Sequence, residues 1–342
     1  MKIGLIARCE VARGLAVQSR NFYDNMPVDR VLLVKHPHPR CEIAPEWYRD
    51  ATPVAWDINN HTIEQNVARQ WMEGLDVVFT VETTYDWRFS DWARAAGVRT
   101  VIQGNPEFVR HMRPEGADLP HPTEWWWPTS WRREELPPGP VVPVPMPNVA
   151  NVAADPHEGP LKILHVVGKR AHLDRNGTDI FLQSLRSSTQ PMEVTIHAFD
   201  GGVGDVPRRK HLTYRVVDKM VTDLWSMYAD QHLLVMPRKY GGLCLPALEA
   251  AASGLAVMMT DCSPNYELAS LFIGPRRWLK MNVAAGEIRY AEVNALDLAA
   301  ELDRIARNRT LVADGQRQSH TMVPRWDDWR RRYLDAFARL IG

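Results

Sequence analysis

Residues 233–267, LLVMPRKYGGLCLPALEAAASGLAVMMTDCSPNYE, carry the residue types and spacing best suited to chemistry. An apolar run at 233–236 ends at Pro237, and Gly241 and Gly242 lie in the loop beyond it. A small-residue helix pattern follows with one carboxylate, Glu249, and Gly254 stops it before the apolar run 256–259. Glycines let a backbone approach a ligand closely. The first turn of a helix offers unpaired N–H groups and partial positive charge to an anion, typically a phosphate. Glu249 falls about a turn further in, where a carboxylate can accept hydrogen bonds from hydroxyls. A helix glutamate facing solvent is the plain alternative.

Strand, glycine loop, helix and strand in that order make one unit of a parallel α/β sheet. The alternation runs along the whole chain. In the first half, strands are expected at residues 2–7, 30–35, 76–81 and 99–102, with helices at 15–26, 63–72 and 89–96. In the second half, strands are expected at 161–167, 192–198 and 212–217, with helices at 179–185, 223–229 and 296–308. Residues 137–160 are rich in proline. Each proline removes a donor and biases its predecessor to an extended form, so the stretch reads as a connector. The expected division is residues 1–150, residues 151–322 and a terminal helix at 323–342. That tail sets Trp326, Trp329, Tyr333, Phe337 and Leu340 at helical spacings.

The stretch 233–267 resembles the donor-sugar-nucleotide signature of family 4 glycosyltransferases, which have the GT-B fold. Pro237, Gly242, Leu245, Pro246, Glu249, Ala250, Ala252, Gly254, Val257 and Thr260 match the signature in register. The family's first glutamate falls on Gly241, the serine after the proline on Arg238, and the second loop glycine on Cys244. The resemblance implies an α/β chain of two Rossmann-like domains whose parallel sheets face a central cleft. The first domain would face the acceptor and the second would bind the nucleotide sugar. The terminal helix would cross back onto the first domain. A cleft also fits the rule that open α/β sheets bind ligands beyond the carboxyl ends of their strands.

Residue by residue, the resemblance makes Glu249 the holder of the nucleotide ribose. The loop GKRAHLDRNG at 168–177 stands where the family grips the donor diphosphate with two basic side chains. Lys169 and Arg170 are candidates for the first. The family's lysine is replaced by Asn176, with Arg175 one place earlier. Fixed cations lower the barrier to a leaving diphosphate as its charge grows, and arginine can bind phosphate oxygens bidentately. A solvated charged loop is the alternative. Arg238, Tyr240, Gly241, Gly242, Leu243 and Cys244 would line the donor, with Glu267 near its sugar or the helix end. Asp218 falls near the base, or is a plain strand end. Gly14 would let the first strand–helix loop approach the diphosphate, or makes a tight turn. Where the family often has a histidine after an N-terminal strand, Gln103, Asn105 and Glu107 stand instead, so a histidine base is not supported.

Composition bounds the alternatives. The 342 residues suit two domains, and 45% hydrophobic content suits a packed core. Lys+Arg 41 balances Asp+Glu 41, which gives no support for broad nucleic-acid or anionic-membrane binding. Cys9, Cys41, Cys244 and Cys262 are scattered without zinc spacing, as reduced cytosolic thiols would be. The N-terminus is charged too early for a signal peptide, and no apolar run reaches a membrane span, so a cytoplasmic protein is expected. The Asp327–Asp328 pair reads as exposed charge, and no acidic metal triad stands out. The absence of G-x-G-x-x-G after the first strand argues against a dehydrogenase. The run TEWWWPTSWRREE at 123–135 holds four tryptophans, for core packing or for an acceptor-side stacking rim.

The resemblance implies a retaining transferase with a UDP- or GDP-linked sugar as donor and no other cofactor, and the lack of an acidic triad fits a metal-independent one. Its acceptor could be a glycan, lipid, protein or small molecule. A nucleic-acid base is the less favoured acceptor, suggested only by clusters such as 208–210 and 330–332. The alternative is a non-catalytic descendant that binds sugar nucleotide or glycan, motivated by Gly241 and Asn176.

Overall fold

The structure is a computed structural model that describes residues 1–11, 14–35, 43–112, 116, 118–168, 173–198, 202–218 and 223–342. Two compact units account for them. The first comprises Met1–Pro147, Asn282–Gly286 and Pro324–Gly342, and the second Asn148–Met281 and Glu287–Val323.

In the first unit, β1 (Ile3–Ala7), α1 (Gly14–Asn25), β2 (Arg30–Lys35), β3 (Thr52–Asp57), β4 (Thr62–Ile63), α2 (Gln65–Met72), β5 (Val77–Val81), α3 (Phe89–Ala95), β6 (Arg99–Gln103) and β7 (Glu124–Trp126) follow in order. Among the described residues the sheet runs β4-β3-β2-β1-β5-β6-β7. Every pairing is parallel except β3 with β4. β1 and β5 are buried at every position because helices cover both faces, which is why they read as unbroken apolar runs. Trp71, Phe89 and Trp92 pack one face.

The other face is covered by Phe22, Phe79 and Trp126 together with the terminal helix α8 (Trp326–Ile341). Its Phe337 is fully buried and stacks on Trp126 with ring centroids 4.9 Å apart. The Tyr333 hydroxyl donates to the Pro143 carbonyl at 2.9 Å and accepts from Gln103 Nε2 at 2.9 Å. Gln103 thus serves as a tie between β6 and the tail. Trp125, Trp126, Trp127 and Trp131 are all buried, so the tryptophan-rich run is core and not a stacking rim.

In the second unit come β8 (Leu161–Val167), α4 (Thr178–Ser187), β9 (Met192–Ala198), β10 (Leu212–Val217), β11 (Leu233–Met236), α5 (Leu245–Ala252), β12 (Ala256–Thr260), β13 (Leu271–Ile273), the hairpin β14 (Arg277–Val283) and β15 (Gly286–Glu292) apart from its tip Asn282–Gly286, α6 (Ala295–Arg307) and α7 (Thr310–Met322). The sheet order is β10-β9-β8-β11-β12-β13, parallel throughout. Leu161, Ile163, Phe181, Leu185, Val235, Met258, Leu298 and Leu302 form its core.

The helix expected at 223–229 is only a 3-10 turn, Trp225–Met227. Asp223 accepts from Trp225 N, and Ser226 Oγ donates to the Asp223 carbonyl. Such local side-chain bonds compete with a helical ladder. Asp230, at φ 58, then turns the chain into β11. Among the described residues no helix is long and apolar enough to cross a membrane.

Candidate functional site

The carboxyl ends of β8 and β11, neighbours at the centre of the second sheet, each open into a loop that leads to a helix. The two loops are stitched together. Lys239 N donates to the Arg175 carbonyl at 2.9 Å, and Lys239 Nζ to the Leu173 carbonyl at 2.8 Å. The Arg175 guanidinium lies 6.0 Å from the Tyr240 ring centroid. Gly177 lets the loops touch, since a Cβ there would stand 2.3 Å from the Pro237 carbonyl oxygen. The start of α4 is capped by Asp174, whose carboxylate accepts from Thr178 N at 2.9 Å and Asp179 N at 2.7 Å. Behind it, fully buried His165 ties β8 to β11 and α4. Its Nδ1 lies 2.7 Å from the Val235 carbonyl and its Nε2 2.9 Å from Thr178 Oγ1. Burial pushes this imidazole down to about 4, so it is a neutral strut.

The candidate residues occupy distinct places in this frame. Lys169 and Arg170 lie outside the described residues. Asn176, standing where a lysine was expected by resemblance, turns inward: it is buried, and its Nδ2 donates to the Val166 carbonyl at 3.1 Å. Gly242 and Cys244 are buried and Leu243 half-buried. The Cys244 carbonyl receives Ala247 N and Leu248 N in the first turn of α5. Glu267 is half-buried in the turn Asn265–Glu267. Asp218 is exposed beyond β10, the outermost strand, three places from β11. In the first unit, Gly14 is the exposed first residue of α1, and Asn105 and Glu107 are buried after β6.

Arg238 is 1% exposed, and its guanidinium fills the space beneath Gly241. A Cβ on Gly241 would stand 2.1 Å from Arg238 Nη2 and 2.8 Å from Cζ, at a φ of +127. The two departures from the resembled signature are therefore one structural event, in which a side chain at 238 takes the room that a side chain at 241 would need. The Arg238 carbonyl accepts from Asn265 Nδ2 at 3.2 Å. Burial pushes the nearby Cys262 thiol up to about 11, with the Arg238 charge pulling the other way. Gly241→Glu alone should cost about 1–3 kcal/mol through backbone strain at this φ, before any clash. Adding Arg238→Ser should return at least about 1 kcal/mol, the scale of coupling between touching residues. Additive losses in urea titrations of the single and double variants would show that the two positions are independent.

Glu249 lies on the buried face of α5 and is 5% exposed. Its Oε2 accepts from the Tyr228 hydroxyl at 2.5 Å. Burial raises its carboxyl to about 7, partly offset by that hydrogen bond. Tyr228 is fully buried, and its own hydroxyl is held well above the usual range by burial and by the Glu249 charge. Sequence reasoning missed Tyr228, which belongs to no spaced motif, and gave no role to Asp174 or Asn265 inside the stretches it singled out. Among the described residues no group of His, Cys, Asp or Glu side chains is placed to hold a metal ion.

No protein-family model matches the chain, and no curated protein matches it in sequence. Solved structures do. HepE of Anabaena, in complex with UDP, matches with a TM-score of 0.68 at 10% identity, covering 99% of this chain and 100% of that one. A glycosyltransferase from Rickettsia africae matches with 0.66 at 10% identity, covering 100% and 99%. Sucrose-phosphate synthase from Thermosynechococcus elongatus matches with 0.63 at 13% identity, covering 99% of each. Likeness over whole chains at such low identity is likeness of fold, and with two parallel α/β units in sequence it makes this a chain of the GT-B fold.

Proposed function

We propose that the chain is a glycosyltransferase that uses a UDP- or GDP-linked sugar. The observation that carries this reading is the pair of stitched loops at the centre of the second sheet, with a buried carboxylate, Glu249, on the helix that follows. The fold supports it, because HepE is seen with UDP and with UDP-glucose. The diphosphate meets the glycine loop that leads into α5 and the cations of Arg175 and Lys239, with Lys169 and Arg170 as further donors. The ribose hydroxyls donate to Glu249. The bond from the anomeric carbon to the phosphate oxygen breaks while the acceptor oxygen bonds the same face of that carbon. The departing phosphate oxygen takes the acceptor's proton, so configuration is retained and no separate base is required. Cations and helix ends supply the charge that a metal would bring, and EDTA should leave turnover unchanged.

Glu249 gives this reading a pH signature. Its folded value, about 7, stands above the ordinary carboxyl value of 4.5. An unfolded chain therefore releases this proton first, and the Glu249 contribution to stability falls as pH rises through that window. Ribose binding has the opposite dependence, because hydroxyls donate better to a carboxylate than to a carboxylic acid. Affinity for UDP-glucose should rise about tenfold from about pH 6 to about pH 8, following the ionised fraction. In Glu249→Gln the affinity should be weaker by about 1–3 kcal/mol and flat with pH. UDP-glucose suits the test because its diphosphate is doubly esterified and does not titrate in this range. Calorimetry that finds no binding of UDP-glucose or GDP-mannose would overturn the reading. Binding without diphosphate release, across a broad acceptor panel, would favour a non-catalytic binding protein.

A further inference from the structure

We infer that the second unit carries, toward the amino ends of its strands, a separate site for a small zwitterion of the class of a free α-amino acid. β10, β9 and β8 are adjacent and parallel, with Glu193 level with Lys162 and Arg215 level with Thr195. Side chains alternate between the two faces of a strand, so Lys162, Glu193, Thr195 and Arg215 share one face. Asp230 and Gln231 precede β11, the neighbour of β8 on its other side. Together these residues line a hollow of about 150 Å³. Sites for drug-sized ligands span roughly 300–1,000 Å³, so the occupant here is a smaller molecule. The candidate donor loops follow the carboxyl ends of β8 and β11, whereas Lys162 stands at the start of β8 and Gln231 ahead of β11. The hollow is therefore distinct from the candidate donor site.

The Gln231 carboxamide oxygen is the observation that points to a ligand. The residue is 6% exposed, and this oxygen is buried with no hydrogen-bond partner among the described residues. Its backbone is fixed, since the Gln231 carbonyl accepts from Ala154 N at 3.0 Å and Asp230 N donates to the Val152 carbonyl at 2.9 Å. A buried acceptor left unmet costs free energy, so an occupant must bring a donor to it. Charge narrows the class further. Lys162 Nζ donates to Asp230 Oδ1 at 2.6 Å, and this pair balances itself. Glu193 and Arg215 form no ion pair or side-chain hydrogen bond among the described residues. His197, further along β9, adds no charge at neutral pH, because burial and then the Arg215 charge push its imidazole down to about 4. The hollow thus sets one unpaired carboxylate and one unpaired guanidinium on neighbouring strands. An ion of a single sign leaves one of them unmet, and a molecule with both signs satisfies both. Its ammonium donates to Glu193 and to the Gln231 oxygen. Its carboxylate accepts from Arg215, whose planar fork suits two parallel hydrogen bonds. The Thr195 hydroxyl can donate or accept beside them.

Isothermal calorimetry on the full chain, with no nucleotide present, tests this directly. The probes are a panel of free amino acids, with acetate, methylamine, betaine and phosphoethanolamine beside them. At least one amino acid should bind about tenfold or more tightly than acetate or methylamine, which carry one charge each, and than betaine, which has no N–H to donate. Phosphoethanolamine, the zwitterion of a lipid head group, should bind more weakly than that amino acid. Arg215→Gln and Glu193→Gln should each weaken the binding about tenfold while keeping the parent's melting temperature, and Gln231→Leu should weaken it several-fold. Absence of binding by every amino acid, equally tight binding of acetate, methylamine or betaine, preference for phosphoethanolamine, or folded variants that bind as the parent does would each overturn the site. No sugar nucleotide enters the measurement, so failure of the donor reading leaves this result standing, and the reverse holds too.

Discussion

Deletion of residues 325–342 should unfold the first unit rather than shorten it. The segment brings Trp326, Tyr333 and Phe337 into the core beside Phe22, Phe79 and Trp126. Each large buried side chain contributes roughly 1.5–3 kcal/mol. Three of them match the lower end of the 5–15 kcal/mol that typically separates a folded domain from its unfolded chain. The deletion also removes polar partners. Gln103 Nε2 loses the Tyr333 hydroxyl, and Asn21 Oδ1 loses the Trp326 indole N–H. The milder Phe337→Ala should cost about 3–5 kcal/mol, the scale for emptying a buried aromatic site. Denaturant unfolding followed by tryptophan fluorescence is the appropriate measurement, since most tryptophans here lie in this unit. A truncated protein that keeps the parent's midpoint and slope would make the helix a dispensable appendage.

How much of this was legible in the sequence depends on where the information lies. β2, β8 and β9 fall at the residues expected for them, because a strand covered on both faces must be apolar along its length, and the edge strand β10 falls at its expected residues although most of its positions are exposed or half-buried. β3 was not legible: it contains Pro53 and lies next to the two-residue edge strand β4, where a missing ladder donor is tolerated. β7, the sequence Glu-Trp-Trp, reads as an aromatic cluster and becomes a strand only by pairing with β6. In the hairpin β14–β15, β14 has only exposed and half-buried positions and β15 buries Ile288, Tyr290 and Ala291 among polar residues, so neither strand has an apolar run to announce it.

The site divides in the same way. Gly241, Gly242 and Glu249 are local in sequence, and their spacing alone proposes a strand, loop and helix. The partner of Glu249 is 21 residues away, in a segment whose local pattern suggested a helix. The reciprocity of Arg238 and Gly241 is a fact of volume. Each residue taken alone reads as the loss of a motif position, and only backbone geometry shows that one excludes a side chain on the other. Asn176 likewise reads as a lost cation until its amide is seen spent on the Val166 carbonyl.

Gly177→Ala should remove donor binding and much of the second unit's stability together. Gly177 has a φ of +74, a region that side-chain-bearing residues enter at a cost. The new Cβ would stand 2.3 Å from the Pro237 carbonyl oxygen and 2.7 Å from its Cγ. Backbone and a proline ring cannot swing aside as a flexible side chain can. Strain of about 1–3 kcal/mol and overpacking of about 1–3 kcal/mol therefore act together. Relief requires the loop after β8 to part from the loop after β11. That motion pulls Lys239 from the Arg175 and Leu173 carbonyls and tilts the first turn of α4, where Asp174 receives Thr178 N and Asp179 N. The cations proposed for the diphosphate would lose their geometry relative to the glycine loop that leads into α5. A loss of about 2–6 kcal/mol in urea titration, with at least tenfold weaker binding of UDP, is the expected outcome. Parental stability with parental UDP affinity would show that the two loops act separately and that their stitching does not build the site. Parental UDP affinity with reduced stability would place the diphosphate elsewhere on the chain.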